Sequence, residues 1–181
     1  FYDDYILEKF INLKKEISII ITRYQDGSLS IFEPFENIHK DQILNTTTIP
    51  ANITKEIFKE AQEIAKKISE KLQYIGTMCV EFFIDQENKL YVNEIAPRVH
   101  NSGHLTINSH NISQFENHIR AVCNLENIPL KKISNAKMTN IIGNEITKYR
   151  SRTFAANEFF FDYLKKDIKD KRKMGHFTIL K

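Results

Sequence analysis

Cysteine is scarce: Cys79 and Cys123 are the only two in 181 residues. Two thiols cannot build a disulfide framework, and neither stands at metal-thiolate spacing from the other, which points to a reducing compartment, the cytoplasm. Charge of one sign is not in excess either. Twenty-six Lys and Arg face 23 Asp and Glu, a net charge of +3, so overall electrostatics favour neither nucleic acid nor a membrane surface, and any basic site must be local. No stretch reaches the roughly 18 to 20 apolar residues of a membrane span, and no basic region followed by an apolar core and cleavage site opens the chain. The glycosylation-like triplets at Asn45, Asn52 and Asn111 therefore carry no weight. Internal repeats and low-complexity tracts are missing too. The first residue is Phe1 rather than Met, and Tyr5 to Ile11 reads as a strand, so the chain is expected to begin inside a fold.

What is there suffices for one domain with a sizeable core, or one domain plus a small appendage. The β-branched run from Glu16 to Tyr24 predicts a strand buried on both faces. Asp26-Gly27 turns the chain into Leu29 to Phe32 as a hairpin. Residues 33–50, with Pro34, Pro50 and scattered Asn and Thr, predict a long loop. Thr54 can cap a helix running to about Tyr74, with Ile57, Ala61, Ile64, Ala65, Ile68 and Leu72 on one stripe and Gly76 as its end. Met78 to Ile84 and Leu90 to Ile95 predict a second hairpin. A helix near Ser113 to Cys123 is expected to bury Phe115, Ile119 and Val122. From Ala136 the pattern restarts, through Met138 to Gly143 and on to His176 to Leu180, as a small second unit.

The second hairpin carries the chemistry. If Gln86 to Lys89 form a four-residue turn, Asp85 faces Leu90, and counting back sets Glu81 opposite Glu94. Like charges across a ladder repel, so a cation between them gives the pair a purpose, and hard oxygen ligands suit magnesium. A solvated strand face with both carboxylates in water remains the alternative. After Glu94, Pro97 breaks the strand, and Arg98, His100, Asn101, Ser102 and His104 follow around Gly103. A guanidinium, two imidazoles, an amide and a hydroxyl beside paired carboxylates make an oxyanion and phosphate pocket.

The run Asn93-Glu94-Ile95-Ala96-Pro97-Arg98-Val99-His100-Asn101-Ser102-Gly103-His104 resembles the signature of one group of ATP-grasp ligases, the 5-(carboxyamino)imidazole ribonucleotide synthetases. Ser113-Gln114-Phe115-Glu116 with His118, Arg120 and Ala121, Glu36-Asn37-Ile38-His39, and Arg172-Lys173-Met174-Gly175-His176 continue the likeness in the same order. It implies an α+β fold: the large C-terminal lobe of an ATP-grasp domain, mostly antiparallel sheet with helices, over residues 1–132, then a small β-rich domain over 133–181. The N-terminal domain and the small ATP-grasp lobe would lie upstream of Phe1.

The resemblance further implies ATP, Mg2+ and bicarbonate, a carboxylation of aminoimidazole ribonucleotide through carboxyphosphate, and a homodimer. Glu8, Lys9, Phe10 and Ile11 would line the adenine, Glu16 would hold the ribose, and His39, Asn93 and Glu94 would complete the ATP site. Glu81 and Glu94 would bind the metal, and Arg98 and Lys173 would be catalytic. Arg98, His100, Asn101, Lys166, Arg172 and Lys173 would meet the other substrates. One departure is plain: where the group shows Tyr-Gly-Lys followed by an arginine, this chain has Leu164-Lys165-Lys166 and Lys169, with Tyr163 one place away. The aromatic stretch 149–162 has no assigned role. With half of the clamp upstream, the 181 residues alone are expected to bind ATP weakly and not turn over. Another ATP-grasp ligase, such as a formate-dependent purine transformylase or a biotin-dependent carboxylase subunit, would share the paired glutamates, and a noncatalytic nucleotide-binding module would keep only the fold.

Overall fold

The computed structural model describes residues 5–181. Strand β1 (Leu13–Arg23) buries Ile17, Ile19, Ile20 and Ile21 completely, as β-branched side chains on both faces of a central strand should be. Gly27, at φ +84°, turns it into β2 (Leu29–Ile31), with Arg23 paired to Leu29. Tyr5 to Ile11, expected as a strand, is not one: the segment has no regular structure, and Tyr5, Ile6, Leu7 and Phe10 are exposed. One edge of β1 is taken by a later strand and the other by β2 and its successor, so no edge is left beside it.

The expected long loop is instead a hairpin, β3 (Phe35–Lys40) and β4 (Ile43–Ile49). Its turn is made by Asp41 and Gln42, both left-handed at φ 50° and 64°. That conformation is usually signalled by Asn-Gly or Asp-Gly, and neither is present. Helix α1 (Lys55–Leu72) follows, with the Thr54 hydroxyl accepting from the Ile57 amide. Its buried stripe of Ile57, Ala61 and Ala65 packs on Ile17, Ile19, Ile21, Val80 and Phe82. It ends at Gln73 in the left-handed conformation; Gly76, expected as its end, opens β5 (Gly76–Asp85).

Strand β6 (Leu90–Ala96) completes the second hairpin, and α2 (Thr106–Ser109) and α3 (Gln114–Val122) lie beyond it. Helix α3 is capped by Ser113 but turns inward a face the sequence does not suggest. Gln114, Asn117 and Ala121 are buried, while Ile119 and Val122 are exposed. The polar pair goes inside because it is fully bonded there: Gln114 spans the backbone N–H and C=O of His100, and Asn117 holds Tyr24 and Ser30. Strand β7 (Ala136–Ile142), α4 (Ile146–Arg150), β8 (Glu158–Asp162) and β9 (Lys173–Leu180) finish the chain. The unassigned aromatic stretch supplies Tyr149, Phe154 and Phe160 to a cluster around Phe177 and Met174.

All pairings are antiparallel, and the strands form one sheet in the order β6-β5-β1-β3-β4-β7-β9-β8, with β2 beside β1. The α+β expectation holds. No helix among the described residues is long and apolar enough to cross a membrane.

Candidate active site

Alternation along β1 and β5 decides what faces the site. Ile17, Ile19 and Ile21 on β1, with Met78, Val80, Phe82 and Ile84 on β5, point to α1. Their neighbours Glu16, Ser18, Cys79 and Glu81 therefore share the other face. Ser18 pairs with Glu81, and Glu81 pairs with Glu94 on β6, as the hairpin count predicts. The route to that register differs. Ile84, not Asp85, faces Leu90, and the Asp85 N–H bonds the Lys89 carbonyl, so the register at the turn is offset by one residue, and a bulge at Asn93 on β6 restores it. Glu81 is largely buried and Glu94 exposed. Burial raises the Glu81 pKa above the usual carboxylate value, Glu94 and Glu16 push it the same way, and His39 opposes them.

His39 lies beside another register shift, where Asn45 is the extra residue on β4. Its Nδ1 meets the Glu16 carboxylate, which raises the imidazole pKa against the effect of burial. His100 is the opposite case. Its Nε2 is 3.4 Å from Glu81 Oε1, yet burial first, and then the Arg98 and Lys173 charges, lower its pKa to about 4. With its pKa lowered in this way the ring is uncharged at neutral pH, so its approach to Glu81 is not an ion pair.

Lys173 opens β9 next to a third bulge, at Met174. Burial lowers the pKa of its ammonium, Lys165 and Arg98 add to that, and Glu81 opposes it, so acid and base clusters feel one another. Arg98 is exposed, its guanidinium donating to the Val99 carbonyl. Asn101 Oδ1 accepts from Asn140 on β7 at 2.6 Å. Arg172 is half-buried, its guanidinium donating to the Asp167 carbonyl at 3.3 Å. Lys166 is exposed, whereas Lys165, one place earlier, donates to the Lys173 carbonyl at 2.6 Å. Leu164 takes the left-handed conformation at φ 53°, a place suited to glycine, and this directs Lys165 to the site.

Glu8 is exposed, and Lys9, Phe10 and Ile11 line a depression of about 270 Å³ with Asp85, Gln86 and Tyr91. Lys9 stands over the Tyr91 ring at 5.3 Å. That depression is lined by a different set of residues from the carboxylate pair. Sequence reading missed Tyr163, whose hydroxyl bonds both His104 and His176 at 3.0 Å. These rings, with Ile107, Phe115 and Phe161, line an apolar recess of about 490 Å³. It also missed Ser18 and Asn37, though a serine inside the Ile-rich run of β1 is itself a signal. Cys79 lies near Glu81 and His100, but burial drives its thiol pKa up, so the neutral sulfur is no ligand for a hard cation. The carboxylates fit one: two carboxylates paired across a ladder, with Glu16 nearby and the pKa of Glu81 raised, form an excess of negative charge that a divalent ion would relieve.

A mostly antiparallel α+β fold is what the comparison with known families recovers. The model of the ATP-grasp domain matches residues 2–115, and the chain belongs to the ATP-grasp family. The model of the phosphoribosylaminoimidazole carboxylase C-terminal domain matches residues 136–181. The chain is 42% identical over 178 residues to the N5-carboxyaminoimidazole ribonucleotide synthase of Staphylococcus aureus strain MRSA252, covering 97% of this chain and 47% of that protein. Among solved structures, N5-carboxyaminoimidazole synthetase from Staphylococcus aureus complexed with ADP superposes with TM-score 0.90 at 41% identity, over 96% of this chain and 48% of that one. The N5-carboxyaminoimidazole synthase of Aspergillus clavatus in complex with ADP and 5-aminoimidazole ribonucleotide gives 0.89 at 30% identity, again over 96% and 48%. The chain thus spans about half the length of these relatives.

Proposed function

We propose that this chain supplies one wall of an ATP- and bicarbonate-dependent ligase that carboxylates the exocyclic amine of 5-aminoimidazole ribonucleotide in purine biosynthesis. The pairing of Glu81 with Glu94, within reach of the charges of Lys173 and Arg98, carries the reading. Phosphoryl transfer from ATP to bicarbonate gives carboxyphosphate and ADP; the amine then takes the carboxyl group and releases phosphate. Glu81 and Glu94 would hold magnesium, whose charge would offset that of the phosphates. Arg98 and Lys173 oppose the negative charge that develops on the phosphoryl group and bicarbonate. Glu16 and His39 hold the ribose of ATP, Asn93 its phosphates, and Glu8 to Ile11 its base.

His100 and Asn101 orient the acceptor. Arg172 takes the ribonucleotide phosphate together with a lysine, Lys165 by its position in the site or Lys166 by the sequence likeness. A cytoplasmic homodimer, with units dividing near residue 132, completes the reading. The assignments toward ATP and the ribonucleotide are supported by the relatives crystallised with ADP and with aminoimidazole ribonucleotide.

The test is phosphate release with bicarbonate, with and without aminoimidazole ribonucleotide, in a polypeptide that joins this chain to the remaining half of its relatives' length. Glu94→Gln should lower turnover by a factor of about 100 or more and leave the circular dichroism spectrum unchanged. Near-normal turnover would remove the metal assignment. The 181 residues alone should bind ATP weakly and show no carboxylation, because their site residues stand on an open face.

A further inference from the structure

Four polar side chains that the proposed reaction does not touch form a line through the interior and end at His100. Thr47 Oγ1 donates to Asn37 Oδ1 at 3.0 Å, Asn37 Nδ2 donates to Ser18 Oγ at 3.0 Å, and Ser18 Oγ donates to Ser102 Oγ at 2.9 Å. Ser102 Oγ is then 2.9 Å from His100 Nδ1, and the Ser102 backbone N–H points to the same nitrogen at 3.4 Å. None of these four residues is more than 4% exposed. Burying four polar groups costs free energy unless each meets a partner, and here the partners run head to tail.

The direction of donation is fixed from both ends. A backbone N–H can only donate, so the Ser102 amide, the longer contact at 3.4 Å, leans Nδ1 toward the bare state, and the hydroxyl at 2.9 Å makes the stronger demand. The Ser102 hydroxyl already accepts from Ser18, which leaves its own hydrogen for that same nitrogen. The ring proton must then sit on Nε2, the atom 3.4 Å from Glu81 Oε1. We propose that Ser102 is a positioning residue, which, through the buried line from Thr47, holds His100 in the Nε2–H tautomer facing Glu81.

The consequence, which rests on the magnesium reading above, concerns the carboxylate. A neutral N–H donor orients Glu81 toward Glu94 without cancelling its charge. The other tautomer would turn a lone pair on the carboxylate, and an imidazolium would put a cation where the metal ion belongs. Partners behind a metal-binding group act in this way, and their loss costs about 10-fold or more in metal affinity.

The tautomer can be read directly from long-range proton–nitrogen spectra of the 15N-histidine-labelled 181-residue chain at neutral pH. The His100 ring should show the Nε2–H pattern. Ser102→Ala should mix the tautomers and weaken Mg2+ binding, titrated with the metal alone, by about 10-fold. Ser18→Ala, which breaks the line without touching the ring, should act in the same direction more weakly and serves if Ser102→Ala does not fold. A structural role alone would lower the melting temperature and leave the tautomer unchanged. An Nδ1–H ring in the unaltered chain, or a ring unmoved in both variants, overturns the proposal. If the unaltered chain binds no Mg2+, the carboxylate reading fails, and the spectra still decide the role of Ser102.

Discussion

Two regions of the same sheet treat ionisable groups in opposite ways. On β1, β5 and β6 the carboxylates Glu16, Glu81 and Glu94 are gathered on one face, and the pKa of Glu81 is raised by burial and by its neighbours. Around β8 and β9, His104 and His176 are held by one tyrosine hydroxyl among aromatic rings, and burial lowers their pKa values to about 3 and about 4. The first region keeps a charge that its surroundings resist; the second removes charge altogether. A fold carries the first arrangement at a cost in stability, which makes sense where a ligand supplies the missing cation. The second is packing that happens to be built from imidazoles.

Acid should break the second region first, with the largest effect. The unfolded chain binds protons at His104 and His176, and also at His110 and at His100 in the first region, both lowered to about 4, more readily than the folded one. Their contribution to stability is therefore whole above pH about 6.5 and is lost as pH falls toward about 4, by more than about 2 kcal/mol in total, while His39, raised by Glu16, acts in the opposite sense. The lowered carboxylates Asp85 and Asp162 act only below that window. Urea unfolding at stepped pH measures this, and His176→Gln should shallow the slope; a flat profile between pH 6.5 and 4.5 contradicts it.

A middle-sized effect belongs to the acidic face. Glu81→Gln should stabilise the metal-free chain by up to about 1 kcal/mol, the scale of a like-charge pair across a ladder, and, if Mg2+ raises the melting temperature of the unaltered chain as the proposed function expects, should abolish that rise. Loss of stability on that substitution would show the pair is not repulsive. The smallest effect tests how far the aromatic region depends on charge at all. Arg152 lies 5.3 Å from the Phe154 ring centre and 5.0 Å from that of Phe177. Arg152→Ala should cost about 0.5 to 1 kcal/mol, measured by thermal melting at low and high salt.

Helix α1 was legible because its stripe and its Thr54 cap are local properties of the sequence. The partnership of Glu81 with Glu94 was legible only in outcome, since a one-residue offset at the turn and a bulge at Asn93 compensate each other. Bulges at or beside Asn93, His39 and Lys173 aim three of the candidate site residues, and an extra residue in a strand leaves no mark in a hydrophobic pattern. The β3–β4 hairpin was hidden because Asp41 and Gln42 take left-handed conformations normally left to glycine or asparagine. For α3 the sequence shows Ile119 and Val122 as the obvious inward face. The decision was made instead by hydrogen bonds to His100, Tyr24 and Ser30, partners far away in the chain. Lys165 lies beside Lys173 and Lys166, the residue the likeness names, is exposed, an arrangement the sequence does not show because the left-handed turn at Leu164 is a property of the backbone.

Strands β4 and β7 are bonded from Thr46–Thr139 to Ile49–Ala136, so the sheet runs unbroken past residue 132. Mechanically it is a single plate. The carboxylates of β1, β5 and β6 and the cations at the start of β9 are mounted on it like marks on a ruler, and the interval between them is set by strand spacing rather than by a joint. Whatever closes over this face can change how deeply a ligand is covered, but the separation between the acids of β1, β5 and β6 and the lysine that opens β9 is machined in when the chain folds.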